Sequence, residues 1–130
     1  MFRPEFISLL QESVGEHAPA VLKALETEPS VSIRLNPSKL KECPFPDATP
    51  VPWSPYGYFL KDRPSFTLDP LFHAGCYYVQ ESSAMMVGHV FRQVLEGIGP
   101  GVQVLDLCAA PGGKTTDLAS SLREKFGDRF

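Results

Sequence analysis

Val102-Gln103-Val104-Leu105-Asp106-Leu107-Cys108-Ala109-Ala110-Pro111-Gly112-Gly113-Lys114-Thr115 changes character twice in fourteen residues. Val102 to Leu107 is a near-continuous apolar run, the composition of a strand buried on both faces of a parallel sheet. Cys108 to Gly113 is a loop of small residues, and Lys114 to about Phe126, carrying Leu118, Ala119 and Leu122, reads as a helix. A strand feeding a glycine turn at a helix start leaves backbone N–H groups and the positive end of a helix dipole facing a space that suits an anionic ligand group. Glycine lets such a ligand approach the backbone closely. Pro-Gly-Gly also serves as a plain change of direction, but Ala109, Ala110 and the two glycines clear more volume than a turn requires. Two phosphate-binding templates fail on these residues. A P-loop needs glycine five positions before its Gly-Lys-Thr, where Cys108 stands, and the G-x-G-x-x-G fingerprint is not met.

Upstream of this unit, Ala84, Val87, Val90, Phe91, Val94 and Leu95 recur at helical spacing after Ser82 or Ser83, and Gly97 to Gly101 ends that helix. Tyr77-Tyr78-Val79-Gln80 is a short extended run leading into it. Tyr56 to Leu60, bounded by prolines, predicts a short edge strand, with Pro44 to Pro55 and Leu68 to Gly75 as irregular connections. Val31-Ser32-Ile33-Arg34-Leu35-Asn36 alternates apolar with polar residues, which predicts a half-buried strand whose Arg34 points away from the core. Nearer the N-terminus, Pro4 to Val14 and the residues after Pro19 predict two short helices, ended by Gly15 and Pro29, with their apolar stripes as core. The organisation expected is a small α+β domain over residues 1–75 and the first β-α unit of an α/β domain over 76–130.

With 130 residues, 43% of them apolar, the chain has room for one compact domain, so any large enzyme fold is incomplete in it. A formal charge of -3 excludes the whole-chain electrostatic footprint of a strong nucleic-acid binder and leaves only a local basic patch. Cys43, Cys76 and Cys108 are an odd, widely spaced set without metal-ligand spacing, which predicts a reducing compartment and no metal site. The N-terminal residues form an amphipathic segment rather than an apolar run, so neither a signal peptide nor a membrane span is expected and the cytoplasm is the default location.

The run from Val104 to Thr115 resembles the first S-adenosyl-L-methionine motif of the Nop/Sun family of RNA cytosine-5 methyltransferases, Asp-x-Cys-Ala-Ala-Pro-Gly-Gly-Lys-Thr. Pro52-Trp53 with Tyr56-Gly57-Tyr58, Gly75 to Ser83, and Ser32-Ile33-Arg34-Leu35-Asn36 are similar to the family's approach to its catalytic domain and to its N-terminal Arg-x-Asn strand. Within the family the likeness is to the bacterial enzymes that methylate small-subunit ribosomal RNA. The resemblance implies an α+β N-terminal domain followed by the start of a class I, Rossmann-like methyltransferase domain. It implies S-adenosyl-L-methionine as cofactor, with its methionine end wrapped by Cys108, Ala109, Ala110, Pro111, Gly112, Gly113 and Lys114 and its cationic groups near Asp106. Asp106 serves equally well as a cap on the turn that follows it, and Lys114 equally well as a solvated lysine.

Cytosine C5 is a poor nucleophile. Methylating it requires a thiolate to add at C6, methyl transfer to the C5 so activated, and a base that removes the C5 proton before the thiolate leaves. The family's two cysteines for this lie downstream of the glycine loop, and no residue after Gly113 here is a cysteine. The expectation is therefore an N-terminal fragment with no catalytic residue of its own and no methyl transfer by itself. Arg34, Lys61 and Arg63, near Trp53, Tyr56, Tyr58 and Phe59, are the candidate RNA contacts, since cations beside stacking surfaces suit single-stranded RNA. The apolar Val102 to Leu107 strand, without parallel neighbours, is expected to pair with another copy or to fold back on the chain. A different class of function is a free-standing RNA-binding or protein-interaction module that keeps a vestigial cofactor loop.

Overall fold

The computed structural model describes residues 2–128 and divides into two compact units, one ending at Ser30 and one starting at Val31. In the first, α1 (Pro4–Val14) begins with proline in its first turn, where the missing N–H costs nothing, and ends at Gly15. A single 3-10 turn, Gly15–His17, leads into α2 (Ala18–Leu25). The stripe expected as core is only partly so. Ala18 is buried, but no residue of α1 is, and Leu9 is 62% exposed, because an eight-residue α2 covers only part of α1.

The second unit is built on a four-stranded antiparallel sheet of order β2-β3-β1-β4, with β1 Val31–Leu35, β2 Thr49–Pro50, β3 Gly57–Leu60 and β4 Tyr77–Val79. Ile33 pairs with Tyr58 on one side and with Val79 on the other. Period-two alternation sends Ile33 and Leu35 to one face, where Leu60, Phe66 and Tyr77 join them in the core. The strand expected at the sheet edge, β3, is internal, because two residues of the proline-rich connection pair along its outer side as β2. Between β3 and β4 the expected loop contains a 3-10 turn, Phe66–Leu68, and α3 (Pro70–His73), whose N-terminus is capped by the Asp69 carboxylate accepting the Leu71 amide at 2.8 Å. β4 belongs to the same sheet as β1 and lies beyond residue 75, so the compact division falls after Ser30 and the sheet runs across the 75/76 line.

After a 3-10 turn, Ser82–Met85, α4 (Met86–Leu95) packs against α5 (Gly113–Phe126). The face of α4 that is buried carries Gly88 and Leu95, whereas Val87, Val90 and Val94 of the expected stripe are exposed. The apolar run Val102 to Leu107 forms no strand, and Leu105 and Leu107 are 81% and 87% exposed. A strand exists only through hydrogen bonds to a neighbour, and among the described residues none pairs with this segment.

Candidate functional site

The loop between Asp106 and α5 is fixed from within. Asp106 Oδ1 accepts the Cys108 amide at 2.8 Å and Oδ2 accepts the Thr115 hydroxyl at 2.6 Å, so the carboxylate ties the start of the loop to the first turn of the helix. The Thr115 hydroxyl, then the Cys108 amide and the nearby Lys114 charge hold the Asp106 carboxyl below its ordinary range. Ala110 and Pro111 are exposed, and Gly112 takes φ +112°, a conformation that favours glycine, as the residue preceding α5. Gly113 and Lys114 open the helix. Their amides and that of Thr115 lie in the first turn, where N–H groups have no partner within the helix.

Facing the loop, Tyr78, Val79, Gln80, Glu81 and Ala84 complete a cavity of about 200 Å³ with Cys108, Ala110, Pro111, Gly113 and Lys114. Its lining brings Gly113 and Lys114 of the first turn of α5 beside Glu81, whose carboxylate accepts the Ser83 amide at 3.3 Å and the Ser83 hydroxyl. A site for a whole cofactor is usually about 300–1,000 Å³, so this space takes one end of such a ligand. The thiol of Cys108 is exposed at the rim. Asp106 and Thr115 also line a second cavity of about 420 Å³, bordered by Val102, Val104, Leu118 and Leu122.

Beneath the loop lies a polar network with no motif to announce it. Arg34, expected on an open face and named as an RNA contact, is 2% exposed. Alternation places it correctly opposite the core, but the start of α5 covers that face. Its Nε donates to Gln80 Oε1 at 2.9 Å, and its Nη2 to the Gly113 carbonyl at 3.2 Å and to the Thr116 hydroxyl at 2.6 Å. Arg34 is thus almost wholly withdrawn from the open face on which it was expected. Nearby, Arg92 of α4 reaches Asp117 of α5 at 3.4 Å and Ser121 at 3.2 Å, and donates to the Trp53 carbonyl at 3.3 Å. Trp53 in turn donates its indole N–H to the Ser82 carbonyl at 2.8 Å, fastening the Pro-Trp segment to the 3-10 turn that precedes α4. Burial pushes the Asp117 carboxyl above its ordinary range, and the Arg34 and Arg92 charges offset this only in part. The one sequence signal for this network is the polar stripe Gly113, Asp117 and Ser121 at fourth-residue spacing on a helix that has to bury a face.

Lys61 and Arg63 are exposed at the end of β3, where Arg63 lies 5.7 Å from the Phe66 ring centroid. They border a cavity of about 200 Å³ together with Asp47 and Asp62, so the patch is of mixed sign. Of the stacking surfaces expected with them, Trp53 packs edge-on against Phe59 at 6.5 Å. Cys43 and Cys76 are half-buried against the core, and burial raises the Cys43 thiol pKa. Among the described residues no cluster of potential metal ligands occurs, and no helix is long and apolar enough to cross a membrane.

A family model described as the N-terminal domain of 16S rRNA methyltransferase RsmF matches residues 2–82. A ribosomal RNA small subunit methyltransferase F from Photobacterium profundum is 29% identical over 134 residues, covering 92% of this chain and 28% of its own length. Its counterpart from Enterobacter sp. is 30% identical over 135 residues, covering 93% of this chain and 28% of its own. The chain thus spans under a third of the length of these curated relatives. A crystal structure of a methyltransferase homolog protein from Pyrococcus horikoshii superposes with a TM-score of 0.69 at 30% identity, over 94% of this chain and 41% of that one. These likenesses converge on the family to which the motifs point, and the chain belongs to the family defined by the N-terminal domain of the 16S rRNA methyltransferase RsmF.

Proposed function

We propose that the chain is the N-terminal part of an S-adenosyl-L-methionine-dependent RNA cytosine-5 methyltransferase that acts on small-subunit ribosomal RNA in the cytoplasm. Its Rossmann-like catalytic domain starts within residues 76–130, and residues 1–75, whose β1 shares a sheet with β4 of the later segment, help to position RNA. The observation that carries this reading is the crook between Asp106 and Thr115, with first-turn amides, Lys114 and Glu81 around one cavity. When bound, the cofactor supplies an electrophilic methyl group on a sulfonium. The chain's own residues do the holding. Amides of Gly113 and Lys114 and the Lys114 ammonium receive the carboxylate, Glu81 faces the ammonium, and Cys108, Ala109, Ala110, Pro111 and Gly112 form the wall. Asp106 supports the loop through Thr115 and Cys108 and leaves a net negative charge near the cationic end.

Cys108 is a wall residue in this scheme. By the family resemblance, the thiolate that adds to cytosine C6 and the base that removes the C5 proton come from two cysteines downstream of the glycine loop, so these 130 residues alone do not turn over. Exposed Lys61 and Arg63 supply the RNA contact. Incubation of the chain with radiolabelled S-adenosyl-L-methionine and 16S rRNA, followed by equilibrium dialysis and counting of the precipitated RNA, tests both halves. Retention of label by the protein with none transferred to RNA supports the proposal. Transfer to RNA overturns the inactivity, and no retention at millimolar cofactor overturns the site.

A further inference from the structure

The loop carbonyls of Pro111, Gly112 and Gly113 are each reached by a different side chain. The Tyr78 hydroxyl donates to Pro111 at 3.4 Å, the Thr116 hydroxyl to Gly112 at 2.8 Å, and the Arg34 guanidinium to Gly113 at 3.2 Å. Arg34 also donates to the same Thr116 hydroxyl at 2.6 Å, so the second and third contacts are one chain of hydrogen bonds. Gly113 lies directly on this support, and a Cβ built on it would stand 3.3 Å from Tyr78 Cε1 and 3.5 Å from Gln80 Cδ.

A peptide group is planar, and in the trans form its C=O and N–H point in opposite directions. The three side-chain contacts, together with the first helical bond of α5, from the Thr116 amide to the Gly112 carbonyl at 2.9 Å, therefore fix the orientation of the N–H groups of Gly112, Gly113 and Lys114 as well. We propose that Arg34 is a positioning residue for the cofactor loop: through Gly113 and Thr116 it locks the peptide planes whose amides receive the anionic end of the methyl donor. This rests on the cofactor reading above and adds a role that the family's Arg-x-Asn strand was not assigned from sequence. The chemistry calls for arginine in particular. One planar fork serves Gln80, Gly113 and Thr116 at once, which a single ammonium on a flexible stem does not, and Asp117 supplies the counter-charge that the buried guanidinium needs. A loop held before binding loses less freedom when the ligand arrives, so the effect belongs to affinity as well as to rigidity.

Arg34→Lys keeps the positive charge opposite Asp117 and removes the fork, and Thr116→Val removes one hydroxyl without touching any charge. Amide hydrogen exchange at Gly112, Gly113 and Lys114, compared with the amides of β1 and β3, is measured in both variants of the 130-residue chain, alongside dialysis with S-adenosyl-L-methionine. Loop exchange is expected to rise about tenfold in Arg34→Lys and less in Thr116→Val, with strand amides unchanged, and cofactor affinity is expected to fall by a similar factor. Loop amides that exchange as in the parent overturn the proposal, as does loosening of loop and strands together, which is what simple bracing of α5 produces. If Arg34→Lys does not fold, Thr116→Val decides by the same criterion. Loosened loop amides in a chain that takes up no cofactor, parent included, leave the positioning role standing and remove the cofactor reading instead.

Discussion

The carboxylate of Asp117 occupies the space where a side chain at residue 88 would begin: a Cβ built on Gly88 would overlap both its oxygens and its carboxyl carbon. Glycine at this turn of α4 is what lets a 1%-exposed carboxylate of α5 come up against the α4 backbone. Gly88→Ala forces the two helices apart or expels Asp117 from its place beside Arg92. Overpacking of this kind costs about 1–3 kcal/mol, a fall of roughly 4–10 °C in Tm for a domain of this size. Thermal unfolding followed by circular dichroism measures it, and an unchanged Tm contradicts the packing described.

The same carboxylate gives a signed pH dependence. Burial raises its pKa in the folded chain above the unfolded value, so it favours folding at acid pH and loses that advantage as pH rises through the raised value. Asp117→Asn has no such titration. The Tm of the parent minus that of Asp117→Asn is therefore expected to decrease from pH 4 to pH 7. A difference that grows over this range means that Arg34 and Arg92 outweigh burial.

Tyr56 supplies a second test of the electrostatics. Burial, then a hydrogen bond to the Glu124 carboxylate and its charge, push the phenol up to about 12, and Tyr77, buried and donating to Asp69 at 2.6 Å, is also raised. Ultraviolet titration of the folded chain beside Tyr56→Phe and Tyr77→Phe is expected to show that the component each variant loses titrates above the ordinary phenol range. Loss of a component near pH 10 in either variant contradicts this placement.

Lys61 and Arg63 are exposed, and their reversal to glutamate disturbs the core only where Arg63 leaves the Phe66 ring. On the proposed role, binding of rRNA by the chain weakens by about tenfold or more. The slope of log affinity against log salt falls by about 1.4, from two single-strand phosphate contacts at about 0.7 each. Filter binding across a salt series reads both quantities, and an unchanged slope removes these residues from the interface.

Exposed Leu105 and Leu107 beside unpaired backbone make the segment from Val102 to Leu107 an open edge. Sedimentation of the chain is expected to show concentration-dependent association that Leu105→Lys with Leu107→Lys abolishes. A monomer at all concentrations with the segment still unpaired contradicts self-association.

Local signals were legible where the physics is local. Pro4 and Gly15 bracket α1 because a first-turn proline and a positive-φ glycine act on their own helix ends. The alternation from Val31 to Leu35 correctly separated Ile33 from Arg34. It could not reveal what lies over each face, and the cover on the Arg34 side comes from residues about 80 positions away. The run from Val102 to Leu107 states a preference for apolar surroundings, but a strand also needs a hydrogen-bonding partner, which composition does not supply. On α4 the valines mark the more apolar side, yet docking follows Gly88, Arg92 and Leu95, where close approach and a buried ion pair decide. The glycine loop was legible because its residue types are dictated by backbone geometry. Gln80, Glu81 and Asp117 were not, since their roles arise only when α5 is laid on the sheet and α4.

On the proposed function, the crook from Asp106 to Lys114 receives the amino-acid end of S-adenosyl-L-methionine. Titration of isotope-labelled chain with the cofactor, followed by amide chemical shifts, tests this most directly. Saturable shifts are expected, concentrated at Cys108, Ala109, Ala110, Gly112, Gly113 and Lys114, with Glu81 moving alongside them and β3 still. Saturable shifts elsewhere with this loop unmoved, or no shifts at millimolar cofactor, would contradict it.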